Sequence, residues 1–197
     1  MSDASDILLT ERLRVRNWQE NDRPLFYEIN SDPGVMEFFP HRRSAEEADA
    51  FMDKVASQIA TTGYGAYALA LKDTDEPIGF CALMPAAMPG LLPEETIEIG
   101  WRLATRFWGN GYVTEAARAL LDYAFDVKRL DAIVSFAVSA NRRSTAVMER
   151  LGLVHMPAMD FDHPRVPDTH PHLKRHIFYA ITRDAWLKQR TGAPTSG

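Results

Sequence analysis

Cysteine is nearly absent from this chain. Cys81 stands alone among 197 residues, so no disulfide can close within it and nothing marks it for an oxidising compartment. A cytoplasmic location is the default expectation. Long apolar runs are missing too: the longest stretch without a charge lies between Glu76 and Glu94, and Pro77, Pro85, Pro89 and Pro93 break it. No membrane-spanning helix is expected there or elsewhere. The first residues, Met1-Ser2-Asp3-Ala4-Ser5-Asp6, are acidic and lack the basic start and apolar stretch of a signal peptide. Positive charge is not in excess, with 22 Lys and Arg against 27 Asp and Glu for a formal charge of −5. General nucleic-acid binding therefore has no electrostatic footprint. Repeats and low-complexity segments are absent as well.

What is present is an ordinary globular composition, 46% hydrophobic and 25% charged. The length suits one domain, long enough to bury about 70% of its unfolded surface. A single domain over residues 8–185 is expected, with terminal tails at 1–7 and 186–197.

Periodicity places the elements. Leu13-Arg14-Val15-Arg16-Asn17-Trp18 alternates apolar and polar residues, as a half-buried strand does. Residues 24–30 and 45–61 have helical spacing, the second capped by Ser44, with Ala48, Phe51, Met52, Val55 and Ile59 on one stripe. Residues 65–72 and 78–84 read as two strands joined by the turn Asp73-Thr74-Asp75-Glu76-Pro77. From 96 to 103 the chain alternates again, Ile97, Ile99, Trp101 and Leu103 on one face and Glu98 and Arg102 on the other.

Beyond Val113 the period changes to that of an amphipathic helix of about four turns, carrying Ala116, Ala117, Leu120, Leu121, Ala124 and Phe125. Residues 131–138 form an apolar strand. Asn141 caps a short helix whose inward side is Ala146, Val147, Met148 and Leu151, closed by Gly152. A proline- and histidine-rich loop covers 155–172, and 173–181 is a last strand. The order predicts an α/β fold, a central mixed, mostly antiparallel sheet of about six to seven strands flanked by about four helices.

The chemistry concentrates in Arg106-Phe107-Trp108-Gly109-Asn110-Gly111-Tyr112, between a strand and a helix N-terminus. Unpaired N–H groups and the helix dipole make such a turn an anion site, and two glycines let backbone approach a pyrophosphate. Arg106 adds a cation. A P-loop needs Lys and then Ser or Thr after the second glycine, where Tyr112 and Val113 stand. A dinucleotide fingerprint needs a third glycine, where Thr114 stands. Both families are poor matches.

What remains is the pattern Q/R-x-x-G-x-G/A, met by Arg106, Gly109 and Gly111. With Glu98-Ile99-Gly100-Trp101 before it, Thr114-Glu115-Ala116 after it, and Asn141-x-x-Ser144 and Glu149-Arg150-Leu151-Gly152-Leu153 downstream, the chain resembles the GNAT superfamily of N-acetyltransferases. It is most similar to the RimJ/RimL-type subgroup that acetylates ribosomal-protein N-termini. The likeness runs from Leu9 to about Ile181.

The resemblance implies acetyl-CoA as acetyl donor, no metal, and direct transfer to an amine in a ternary complex. It implies that Trp101, Arg102 and Leu103 bond the pantetheine arm from a splayed strand, where backbone donors could also stabilise an oxyanion. Arg106, Trp108, Gly109, Asn110, Gly111 and Tyr112 would surround the pyrophosphate, and Asn141 would reach the pantetheine. Arg142 and Arg143 sit at a helix N-terminus, where cations are unfavourable by about 0.3–1 kcal/mol each; a CoA phosphate would relieve that cost, and pointing into solvent is the other reading.

An α-amine at about 7.7–8.0 needs little base, whereas a lysine amine at about 10.4 is almost wholly protonated at neutral pH. Glu98 is one candidate base, acting through a water; a hydrogen-bonding role beside the turn is the alternative. Ser144 is the resemblance-derived candidate for protonating the departing thiolate, against ordinary helix-surface packing. Asp160 and His163 border the acceptor pocket by the same resemblance, in a segment holding five of the six histidines but no compact zinc spacing. Trp18, Phe38 and Phe39 are further acceptor-side candidates, with core or loop packing the simpler reading, and Cys81 reads as a buried small hydrophobe.

The acceptor is expected to be a protein N-terminus or a small molecule, an aminoglycoside among them. Assembly as a homodimer is left open. An inactive CoA-binding regulatory module is the alternative from a different class, because a glycine turn reports binding and not turnover.

Overall fold

The computed structural model describes residues 6–192. Its elements fall within a residue or two of their sequence patterns. Two short strands, β1 (Leu8–Leu9) and β2 (Leu13–Arg16), are followed by α1 (Arg23–Ser31) and α2 (Ala45–Thr62). In α2 the Ser44 hydroxyl accepts from Glu47 N while the Glu47 carboxylate accepts from Ser44 N, and Gly63 in the left-handed region (φ 71°) ends the helix. Ala48, Met52, Val55 and Ile59 are its buried stripe.

Next come β3 (Gly65–Leu71), β4 (Pro77–Pro85) and β5 (Ile97–Leu103), then α3 (Tyr112–Asp122), which widens into a π turn at Tyr123–Val127. The chain closes with β6 (Ala132–Val138), α4 (Arg142–Arg150), the two-residue strands β7 (Val154–His155) and β8 (Phe161–Asp162), β9 (Arg175–Thr182) and α5 (Arg183–Thr191). The sheet runs β1-β2-β3-β4-β5-β6-β9-β7, with β8 on β9. The β1–β2, β2–β3, β3–β4, β6–β9, β7–β9 and β8–β9 pairs are antiparallel, and β5 meets β6 in a parallel contact with the single register pair Glu98–Val134. Nine strands stand where six or seven were expected because β1, β7 and β8 are each two residues long, below what a period-two pattern can signal.

Contacts divide the chain into two compact units, one reaching to Met84 and including Gly100–Ala119, the other comprising Pro85–Ile99 and everything from Leu120. In the first, Leu13, Val15, Phe26, Ile29, Tyr67, Leu69, Ile78 and Leu83 are the core. Trp18 belongs to it: the ring meets Phe26 edge-on at 4.7 Å and its Nε1 donates to Ala66 O at 2.7 Å, so it is a packing residue. Cys81 is buried there, and desolvation pushes its thiol up to about 12. The thiol is inert packing.

Arg16 departs from its place on the polar side of the alternation. It is 1% exposed and forms a two-point pair with Asp22, Nη1 to Oδ2 at 2.6 Å and Nη2 to Oδ1 at 3.1 Å. A buried guanidinium is tolerable when a carboxylate matches its fork.

The second unit is built on the β6–β9 pair, in register from Ala132–Thr182 to Val138–His176. Three expectations are corrected here. The polar tail assigned from 186 onward is helical to Thr191: Thr182 caps α5, and Trp186 is buried with its Nε1 donating to Asp122 Oδ1 at 2.9 Å. That ring supplies the tertiary contact which a nine-residue helix of low periodicity needs. In α4 Ala146 is exposed and Thr145 is buried instead, its hydroxyl bonding back to Arg142 O at 3.2 Å, so the inward stripe is Thr145, Met148 and Leu151. The segment 155–172 is likewise more ordered than a loop, with β8 and two short 3-10 turns inside it or at its edge. Tail residues 1–5 and 193–197 lie outside the described residues, whereas Ile7 N already bonds Val15 O at 2.8 Å.

Candidate functional site

In the first unit β5 leads through a 3-10 turn at Thr105–Phe107 into the glycine turn and the N-terminus of α3. Gly109 and Gly111 hold φ of 78° and 79°, a region costly for any residue with a Cβ. A Cβ on Gly109 would meet nothing within 4 Å, and one on Gly111 only Arg12 Nη2 at 3.6 Å. The outer face of the turn is therefore bare backbone, a surface on which a pyrophosphate can lie against N–H groups.

Side chains brace the turn from behind. Asn110 Nδ2 donates to Phe107 O and Trp108 O at 3.2 and 3.1 Å, and the Trp108 indole donates to Leu103 O at 2.9 Å. Arg106 is exposed and paired with Glu28, its guanidinium also 4.7 Å over the Phe107 ring. A phosphate would have to compete with Glu28 for it. Tyr112 is half-buried beneath the Arg12 guanidinium, 4.7 Å from its ring.

Arg12 and Glu115 are the parts that sequence reasoning missed. Glu115 accepts from Thr10 Oγ1 at 2.6 Å, Arg12 N at 2.8 Å and Arg12 Nε at 2.7 Å, and Arg12 Nη1 donates to Asn110 O at 3.1 Å. The residue pairs are 98 to 105 positions apart, beyond any local pattern.

On β5, Leu103 is buried, Trp101 and Arg102 half-buried. The strand passes so close to Gly79 of β4 that a Cβ there would sit 2.2 Å from Arg102 O and 2.7 Å from Leu103 Cα. Arg102 Nη1 donates to Asn30 Oδ1 at 2.8 Å, and the guanidinium lies 4.3 Å from the Phe39 ring.

In the second unit Glu98 is half-buried, and its carboxylate has neither hydrogen bond nor ion pair among the described residues. Desolvation pushes its pKa up to about 8, with the positive charge of Arg165 pulling the other way. Arg165 is held by Ala87 O at 3.2 Å and Ala86 O at 3.5 Å and makes no direct bond to Glu98. A carboxyl that titrates near 8 changes its protonation state close to working pH.

Asn141 caps α4 as its spacing predicts, its Oδ1 accepting from Ser144 N at 3.2 Å. Among the described residues Ser144 Oγ, half-buried, has no partner, and Arg142, exposed, forms no ion pair. Asp160 is engaged within the fold, accepting from Phe178 N at 2.9 Å and from His155 Nε2 at 3.0 Å. His163 stacks among Phe136, Phe161 and His176, its ring 4.8 Å from that of His176. Desolvation, then the charges of His176 and Arg165, depress it to about 4, and Arg165 N donates to its Nδ1 at 3.2 Å. It is a neutral imidazole at physiological pH.

The fold is α/β around a mixed sheet, and in the first unit a glycine turn leads into a helix N-terminus. Comparison with known proteins makes the class specific. The model of the acetyltransferase (GNAT) domain matches residues 12–154. The N-acetyltransferase YnaD of Bacillus subtilis is 31% identical over 147 residues, 74% of this chain and 81% of its own. An FsC-acetyl coenzyme A-N(2)-transacetylase of Aspergillus fumigatus is 27% identical over 199 residues, 98% of this chain and 83% of its own. Among solved structures, a GNAT-family acetyltransferase from Bacillus anthracis superposes with a TM-score of 0.73 at 24% identity, covering 90% of this chain and 98% of that one. The chain belongs to the GNAT family and is an acetyltransferase.

Proposed function

We propose that the chain moves the acetyl group of acetyl-CoA to a primary amine, with an N-terminal α-amine as the preferred acceptor. The observation that carries the reading is the bare, doubly left-handed glycine turn at the start of α3, whose Cβ-free face leaves room for a pyrophosphate. Gly109, Asn110 and Gly111 hold the phosphates, Trp101 to Leu103 the pantetheine arm, and Asn141 and Arg142 contribute from α4. When bound, acetyl-CoA supplies a thioester carbonyl open to attack by a neutral amine.

Glu98 takes the ammonium proton through a water. Its pKa of about 8 is the reason to favour an α-amine. Proton transfer is nearly balanced from a group at about 7.7–8.0 and uphill by more than two units from a lysine ammonium at about 10.4. Ser144, whose hydroxyl makes no bond among the described residues, relays the second proton released by the attacking nitrogen to the departing thiolate, so that it ends as a hydroxyl and CoA leaves as the thiol. A small amine is the second reading, favoured by the fungal relative named as an acetyl coenzyme A-N(2)-transacetylase.

Thiol release from acetyl-CoA, followed across peptides, polyamines and aminoglycosides, tests the reading. Gly111→Trp should abolish the thermal stabilisation given by CoA; an unchanged shift would remove the turn from the binding site. No turnover with any acceptor, despite CoA binding, would refute the acceptor assignment.

A further inference from the structure

Two arginines of the first unit converge on one neutral side chain. Arg102 Nη1 and Arg43 Nη1 both donate to Asn30 Oδ1, at 2.8 and 2.9 Å. Asn30 is 0% exposed, and its Nδ2 donates to Phe26 O at 2.8 Å, which fixes the amide with its oxygen toward the guanidinium groups. Among the described residues neither arginine forms a salt bridge.

The guanidinium of Arg102 lies against two aromatic rings and carries donors without acceptors along one edge. Phe39 lies 4.3 Å and Phe80 5.4 Å from its Cζ. Nε is buried with no hydrogen-bond partner, and Nη2 makes no bond among the described residues. Nε–H and Nη2–H form the side-on fork that matches the two oxygens of a carboxylate. A charge held out of water without a counter-ion is unfavourable, and a second arginine at the same oxygen makes it more so. Desolvation and then Arg43 lower the Arg102 pKa to about 9, as that crowding requires. An aspartate at position 30 would relieve both cations at nearly the same size; the asparagine leaves their charge unspent. Nearby acids are engaged elsewhere: Glu47 with Ser44 N and His41, Glu28 with Arg106.

We infer that the Nε–Nη2 edge of Arg102, with Arg43 beside it, binds a carboxylate carried by the amine acceptor. The inference rests on the acetyl-transfer reading only in making the bound acid an acceptor. The alternation of β5 assigns Arg102 to the side-chain row of Glu98, not to that of Trp101, and the phosphates of the cofactor already have the glycine turn. Exposed Phe39 marks the entrance. Acceptors with an acid one or two residues from the amine, or amino acids with a free carboxylate, share the required chemistry.

Binding to the full chain is measured first without acetyl-CoA, titrating 4-aminobutanoate against its uncharged twin 4-aminobutanamide. The acid should bind at least about tenfold more tightly, the worth of a charge-assisted pair, and Arg43→Gln and Asn30→Asp should each bring the two near parity. Asn30→Asp supplies the missing carboxylate from within; if it does not fold, Arg43→Gln carries the test. Turnover is then compared for peptides beginning Ser-Glu and Ser-Gln. A preference for the acidic peptide, expressed in KM, identifies acidic N-termini as the source; a preference seen only with the small acid identifies amino acids. Equal binding of acid and amide to the wild type, or displacement of the acid by saturating CoA, overturns the inference. Binding of the acid with no acetyl transfer would sustain the carboxylate site and refute the acceptor reading separately.

Discussion

Arg12 and Glu115 meet at 2.7 Å, and through that contact the bend between β1 and β2 holds the helix that begins at the glycine turn. Glu115 accepts three hydrogen bonds from Thr10 and Arg12, and Arg12 passes the constraint to Asn110 O within the turn. A turn built on two left-handed glycines has little stiffness of its own. Its shape is imposed by this brace.

Glu115→Gln is therefore expected to cost about 1–2 kcal/mol of stability, and to weaken acetyl-CoA binding more than an exposed substitution on the same helix does. Desolvation works against ionised Glu115, but the bonds from Thr10 and Arg12 overcome it and lower its pKa. Its contribution is thus fully present above the unfolded carboxylate value of about 4.3 and fades as pH falls through the lower folded value. Urea unfolding of both proteins should show a constant gap above about pH 5.5 that closes in acid.

Glu98 titrates in the opposite sense. With its pKa at about 8, kcat/KM should rise with pH through that value, and Glu98→Gln should be slower and lose the inflection. A carboxyl raised by burial destabilises the fold once the unfolded state can ionise, so the variant should gain stability over wild type between about pH 4.5 and 8 and match it in stronger acid. A pH profile identical in the variant would remove Glu98 from the reaction.

Gly79→Ala tests how tightly β5 is fixed. A Cβ 2.2 Å from Arg102 O meets backbone that cannot rotate away, and φ of 153° disfavours any side chain. A loss of about 1–3 kcal/mol is expected from overpacking, together with weaker acetyl-CoA binding as the Arg102–Leu103 segment is displaced. Calorimetry on the folded variant reads the second effect independently of the first.

Asp22→Asn removes the buried counter-ion of Arg16 and leaves only the exposed Asp75, 3.3 Å from its Nε, to balance the charge. Breaking such a pair from one side costs about 3–5 kcal/mol, enough to lower the thermal midpoint by more than about 6 °C in a chain of this length. Replacing both residues with apolar ones of similar volume should recover much of the loss, because the unpaired charge and not the missing contact carries the cost.

Ser144→Ala should reduce kcat with little change in acetyl-CoA affinity, since the hydroxyl has no structural bond to lose. Asn141→Ala should instead cost about 1 kcal/mol of stability as an N-cap. Equal turnover of Ser144→Ala and wild type would assign the hydroxyl to the helix surface.

Most elements were legible because they repeat over short windows. The stripe of α2, the Ser44 and Asn141 caps, the alternation of β5 and the pair of glycines at 109 and 111 are each written within a few neighbouring residues. Helix α5 was not legible, because it is held by contacts with distant residues, Trp186 and Arg190 on Asp122, Arg190 on Asp126 and Gln189 on Leu151 O. The same holds for Thr145, whose hydroxyl is buried only because the backbone of its own helix satisfies it.

The sequence by itself determined the order of elements, the glycine turn and the family to which it points, because propensity, capping and steric freedom act between near neighbours. Tertiary structure alone decided which charges lose their water and which partners they find. Arg16 against Asp22, Glu98 without a partner, Glu115 under Arg12, and Arg43 and Arg102 on one asparagine all depend on packing between distant segments. Desolvation is a property of surrounding volume, so no period along the chain records it.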